Sequence, residues 1–115
     1  MSALQKCLQI EGLSIMNAAD TLSDTDVEKV INLMLKCSIE KSKVVVTGVG
    51  KSGIVARKIA ATFSSIGLMS LYLNPLDALH GDLGIIANND ICFLLSNSGE
   101  TIELMNIIPH IKRKN

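Results

Sequence analysis

Apolar residues fall along this chain in two rhythms, and the rhythm changes near residue 43. Before that point they recur at helical spacing. Leu4, Leu8 and Ile15 lie near one face of a predicted helix over residues 3–20, with Gly12 as its weak point. Leu22-Ser23-Asp24-Thr25 reads as a break, and Thr25 with Glu28 three residues on forms a capping box for a second helix. Val27, Val30, Ile31, Met34 and Leu35 share one stripe of that helix. After residue 43, short apolar runs alternate with helical stripes. Val44-Val45-Val46-Thr47, Leu71-Tyr72-Leu73 and Ile91 to Leu95 read as buried strands.

The segments between the strands read as helices and turns. Val55, Ile59, Thr62, Phe63 and Ile66 predict the inward face of one helix, with Arg57 and Lys58 outward and Gly67 closing it. Asn74 and Pro75 are the N-cap and first position of a short helical turn over residues 75–80, followed by a loop from His80 to Gly84. Asn88-Asn89-Asp90 is a turn before the third strand. A last helix, from about Thr101 to Ile111, turns Ile102, Met105, Ile108 and Ile111 inward, and Pro109 should kink or loosen its end.

Strands alternating with helices imply a mostly parallel sheet covered on both faces. The expected fold is therefore a three-layer, doubly wound α/β domain. Residues 1–40 form an N-terminal helical pair and residues 41–115 the α/β core. Three strands are fewer than the roughly five or six of an average sheet. In the flavodoxin-like order 2-1-3-4-5 the third strand would be internal; here it is expected at an edge, an association hazard.

Composition narrows the function classes. The chain has 115 residues, enough for one domain, and is 48% apolar but only 3% aromatic, so its core must be aliphatic. Eleven basic and eleven acidic residues cancel, which argues against nucleic acid as a partner. The one dense basic run, Lys112-Arg113-Lys114, suits the end of a helix. Cys7, Cys37 and Cys92 lack metal-ligand spacing and read as buried thiols in a reducing cytosol. No apolar run is long enough to span a membrane, and Met1 leads into a polar, charged segment unlike a secretory leader. A cytoplasmic protein is expected.

The candidate chemistry sits on two strand-to-helix turns. Ser96-Asn97-Ser98-Gly99-Glu100-Thr101 gathers hydroxyls, an amide and a glycine after the third strand. Gly48-Val49-Gly50-Lys51-Ser52-Gly53 follows the first. Helix starts offer unpaired N–H groups and partial positive charge, which suits a phosphate. In a parallel sheet both turns open on the same edge, so adjacent strands bring them to one cleft. The glycines match the dinucleotide pattern G-x-G-x-x-G, but Leu73-Asn74 stands where that pattern wants an acidic residue. Gly50-Lys51-Ser52 also matches part of a Walker loop, whose earlier glycine is replaced by Val45. Glu103 and Glu100 lie near a helix start, where carboxylates are favoured in any case. His80 is a loop histidine, and a surface role accounts for it equally well. No G-x-S-x-G elbow makes a nucleophile of Ser52, Ser96 or Ser98.

Together, Val46 to Gly53, Ala78-Leu79-His80-Gly81-Asp82-Leu83-Gly84 and Ser96 to Thr101 resemble the sugar isomerase (SIS) domain, in its D-arabinose 5-phosphate isomerase branch. Arg57 to Phe63 and Ile108 to Arg113 read the same way. The resemblance implies interconversion of D-arabinose 5-phosphate and D-ribulose 5-phosphate, a step toward the lipopolysaccharide sugar acid Kdo. It implies no metal or organic cofactor. It places the phosphate on Ser52, Ser96, Ser98 and Thr101, with Gly50 and Asn97 beside them, and assigns Lys51, His80 and Glu103 to the reacting end. Ile54 departs from the family's histidine, and Asn74-Pro75 with Asp77 from its His-Pro and Glu. The family's domain continues for two more strands and most members add paired CBS domains, none of which these 115 residues contain. The chain is thus expected to be a truncated SIS domain that associates with itself or with a complementing C-terminal fragment. Two other readings stay open: a non-catalytic phosphosugar-binding remnant or regulatory partner, and a dinucleotide-binding fragment.

Overall fold

The computed structural model describes residues 1–114 and divides the chain into two compact units, Met1–Asn32 and the remainder from Leu33 onward. In the first unit, α1 (Ala3–Thr21) starts on a reciprocal cap: the Ser2 side chain accepts from Gln5 N–H, and the Gln5 side chain accepts from Ser2 N–H. None of its side chains is buried, Leu4, Leu8 and Ile15 included. Helix α2 (Asp24–Ile39) begins earlier than the sequence pattern indicates. Ser23 is its cap, accepting from Asp26 N–H at 3.2 Å, so the expected Thr25–Glu28 box does not form. A serine directly before an acidic first turn satisfies the helix donors two positions sooner.

The core belongs to the second unit. Strands β1 (Val44–Gly48), β2 (Ser70–Leu73) and β3 (Ile91–Leu95) form a parallel sheet in the order β2-β1-β3. Val46 is level with Tyr72 on one side and Phe93 on the other. All five β1 residues are buried. The α/β class and the expected placing of the first three strands are both present.

The period of two along each strand sorts side chains into two layers. On one face Val44 and Val46, with Tyr72, Ile91, Phe93 and Leu95, meet α3 (Lys51–Ser65) and the end of α2 through Met34 and Cys37. On the other, Val45, Leu73, Cys92 and Leu94 meet α4 (Pro75–Leu79), a 3-10 turn at Asp82–Ile85 and α5 (Ile102–Lys114). That 3-10 turn occupies the stretch expected as an open loop.

Three expected helix faces are corrected. In α3 the buried residues are Gly53, Ala56 and Ala60, while Val55 and Ile66 are exposed at 51% and 74%. Small residues at this spacing let the helix backbone sit close on the sheet, with Ile59 and Phe63 wedged at the sides. In α5 the buried stripe is Leu104 and Ile107, joined by Ile111, and Ile102 and Met105 stay exposed. In α2, Met34 and Cys37 make the core contact while Val27, Val30, Ile31 and Leu35 remain exposed. The thiol expectation holds for Cys37, buried, and fails for Cys7, exposed; Cys92 is half-buried.

The predicted stops are met more closely. Gly67, at φ +90°, ends α3 with Gly67 N–H on Ser64 O and Leu68 N–H on Phe63 O. Asn74 Oδ1 accepts from Leu76 N–H at 2.9 Å, with Pro75 opening α4. Pro109 does not end α5, which continues through Lys114; its missing N–H falls on an exposed side of the helix.

A polar clamp closes the sheet at its starting end. Asp90 Oδ1 accepts from Lys43 N–H at 3.0 Å, and Oδ2 from Ala87 N–H at 2.8 Å and from Lys43 Nζ at 2.5 Å. The Asp90 side chain is only 2% exposed. Burial alone would raise its pKa; the Lys43 ammonium and the two N–H groups outweigh this and hold it below the ordinary carboxylate value. Cys92, close by, is pushed up to about 11, mainly by burial and then by the Asp90 charge.

Candidate functional site

The other end of the sheet carries both donor-rich turns. The first is made by backbone packing. A Cβ on Gly53 would lie 2.7 Å from Gly48 O and 3.0 Å from the Tyr72 hydroxyl, and one on Gly48 would lie 2.9 Å from the Ser52 backbone. So α3 starts directly against the end of β1, where only glycine fits. Gly50 has room for a side chain but adopts φ +61° and ψ −127°, a conformation open to glycine. Tyr72 Oη donates to Gly48 O at 3.0 Å, and the Arg57 guanidinium lies 4.7 Å from the Tyr72 ring centroid. The turn is thus held by its neighbours, with Lys51 exposed and Ser52 half-buried at the start of α3.

The second turn is made by hydroxyls. Ser96 Oγ accepts from Gly99 N–H at 2.9 Å and lies 2.6 Å from Thr101 Oγ1. Ser98 Oγ accepts from Glu100 N–H at 3.1 Å and lies 3.5 Å from Ser96 Oγ. Thr101 O accepts from Leu104 and Met105 N–H, placing Thr101 at the start of α5. Gly99, at φ +74°, lets the chain double back.

The two turns share a cleft of about 300 Å3, lined by Lys51, Ser52, Val55, Leu95, Ser96 and Asn97. This is the juxtaposition expected from the sequence. Thr101 lines an adjoining cavity of about 250 Å3, which also reaches Ser96. Glu103, half-buried in the first turn of α5, and His80, exposed at the end of α4, are not on the lining of the cleft. Sequence reasoning missed Val55 and Leu95 as its apolar wall, and missed Tyr72 as the anchor of the first turn. A lone tyrosine in a strand gives no sign of bonding a carbonyl 24 residues earlier.

The dinucleotide alternative finds no ribose-binding acid at the end of β2. Leu73 is buried there, and the Asn74 side chain is occupied in capping α4. Among the described residues no three His, Cys, Asp or Glu side chains are gathered as a metal site needs, and no helix is long and apolar enough to cross a membrane.

A profile of the SIS domain family matches residues 39–115. The chain belongs to the SIS domain family. The structure of this SIS chain superposes on that of a candidate phosphosugar isomerase involved in capsule formation from Bacteroides fragilis with a TM-score of 0.89 and 37% identity, covering 98% of this chain and 58% of the other. An Escherichia coli protein in complex with arabinose 5-phosphate gives a TM-score of 0.80 at 36% identity, covering 100% and 62%. The arabinose 5-phosphate isomerase KpsF of Escherichia coli is 38% identical over 112 residues, 97% of this chain and 34% of that protein. The SIS chain spans about a third of the length of the curated relatives it matches.

Proposed function

We propose that this SIS chain binds a phosphosugar between its two turns and serves aldose–ketose isomerisation, with D-arabinose 5-phosphate and D-ribulose 5-phosphate as the pair. The observation that carries the reading is the shared cleft, where Lys51 and Ser52 face Ser96 and Asn97 in a fold whose relative holds arabinose 5-phosphate. Phosphate oxygens would replace the present partners of the Ser96, Ser98 and Thr101 hydroxyls and take donors from Ser52, Asn97 and the free N–H groups after Gly50. The SIS chain is assigned to the supply of a Kdo precursor in the cytoplasm.

The reaction moves one proton from C2 of the aldose to C1 of the ketose. Glu103 is assigned the base that takes the C2 proton while the aldehyde oxygen gains one, giving an enediol; C1 is then protonated as the C2 hydroxyl proton leaves. Lys51 stabilises the developing oxyanion, and His80 is assigned proton exchange with the sugar hydroxyls. An assay of both sugar phosphates with wild type and Glu103→Gln tests this. Turnover by the wild type and its loss in the variant is expected. A second reading, phosphosugar binding without turnover, is favoured by the position of Glu103 and His80 off the cleft lining. Calorimetry showing arabinose 5-phosphate binding by a wild type that does not turn over would establish that reading and remove the first. NADH binding in place of sugar phosphate would overturn both.

A further inference from the structure

The ladder between β1 and β2 leaves one carbonyl of the first turn without a backbone partner. Val44 is level with Ser70 and Thr47 with Leu73, and Val44 N–H donates to Met69 O at 2.9 Å. In a parallel ladder every second residue faces the same neighbour, and its C=O accepts from the N–H one position beyond its level partner. Val44, Val46 and Gly48 therefore face β2, and the N–H that would reach Gly48 O belongs to residue 75. That residue is Pro75, which has none. The proline that opens α4 thus removes the donor that would have closed the ladder.

Tyr72 supplies a replacement from within β2. Its hydroxyl donates to Gly48 O at 3.0 Å and holds that oxygen toward β2. The ring is half-buried on the α3 face of the sheet, under the Arg57 guanidinium. Arg57 lies one helical turn after Gly53, so the helix that starts at this turn also covers the ring.

The groups this bond controls lie beside it. Among the described residues the N–H groups of Lys51, Ser52 and Gly53 have no acceptor, and the first bond of α3 runs from Ile54 N–H to Gly50 O at 3.2 Å. Ser52 and Gly53 pass directly against Gly48: a Cβ on Gly48 would lie 3.1 Å from Gly53 N, and one on Gly53 would lie 2.7 Å from Gly48 O. Left unpaired, Gly48 O would be the acceptor at hand for those amides and would draw in the donors a phosphate needs. We infer that Tyr72 is a positioning residue: its hydroxyl engages Gly48 O and so keeps the Lys51, Ser52 and Gly53 amides free for the anionic end of the ligand. This role rests on the phosphosugar reading of the cleft and adds to it a residue that is not on the cleft lining.

Calorimetry of the purified chain with arabinose 5-phosphate and with inorganic phosphate, alongside amide–water exchange measured by nuclear magnetic resonance, tests the inference. Tyr72→Phe keeps the ring under Arg57 and removes only the donor. The expected result is an affinity about fivefold lower for both ligands. Without ligand, the Ser52 or Gly53 amide should exchange more slowly than in wild type, because Gly48 O takes it up. Adding Pro75→Ala to Tyr72→Phe restores an N–H at the ladder position and should recover the affinity. A merely structural role gives the opposite exchange result, faster exchange through a loosened turn, and that result overturns the inference. Unchanged affinity in Tyr72→Phe, or no recovery in the double variant, also overturns it and leaves the reading of the cleft standing. A wild type that binds neither ligand overturns that reading, and the role of Tyr72 with it.

Discussion

The two turns that share the cleft are built by opposite means. The Gly48–Gly53 turn is shaped by what is missing: without side chains on Gly48 and Gly53, α3 abuts the end of β1, and Tyr72 fixes the Gly48 carbonyl from outside. The Ser96–Thr101 turn is shaped by what is present, since its hydroxyls bond one another and its own backbone N–H groups. The first takes its shape without using any group a phosphate would claim. The second holds its shape with the same oxygens a ligand would claim, so binding there exchanges bonds instead of adding them. Bulk should therefore break the first turn and loss of hydroxyls the second.

The sharpest test is Gly53→Ala. Its new Cβ would meet the Gly48 carbonyl at 2.7 Å, and backbone cannot give way as a flexible side chain does. A loss of about 1–3 kcal/mol in urea unfolding is expected; an unchanged midpoint would show that the two elements are not in such close contact. Gly50→Ala should cost about 1–3 kcal/mol for a different reason, backbone strain at φ +61° with no clash. Ser96→Ala should cost about 1 kcal/mol, because Gly99 N–H and Thr101 Oγ1 both lose their partner. It should also weaken phosphosugar binding measured by calorimetry. Ser52→Ala should leave the unfolding midpoint unmoved while lowering ligand affinity, since the Ser52 hydroxyl bonds to none of the described residues and lines the cleft.

Acid separates both turns from the clamp at the far end of the sheet. Asp90 has a folded pKa below its unfolded value, so its contribution is fully present above the unfolded carboxylate pKa and is lost as pH falls toward and through the folded one. Unfolding midpoints followed below about pH 4 should drop less steeply in Asp90→Asn than in wild type. Parallel slopes would mean that other carboxylates dominate the acid transition.

The parts legible in the sequence were those with local signals. The β-branched run at Val44–Val46, the Asn74-Pro75 start and the Gly67 stop each specify their element within a few residues, and all three are observed. The convergence of Lys51 and Ser52 on Ser96 and Asn97 was legible because parallel topology dictates it. The inward faces of α3 and α5 were not. Periodicity favours large apolar residues, but a helix lying close on a sheet buries small ones, so Ala56 and Ala60 displaced Val55 and Ile66. The Asp90–Lys43 clamp spans 47 residues and the Tyr72–Gly48 bond 24, and no pattern along the chain announces either.

The Tyr72 bond also gives the molecule an optical reporter. The chain has one tyrosine and no tryptophan, so every photon of indole-free near-ultraviolet emission above the phenylalanine background originates at a ring attached to the ligand-facing turn. A movement of Gly48, a shift of the Arg57 cation over the ring or the opening of β2 from β1 would each alter that emission, and titrating a sugar phosphate needs no label to follow it.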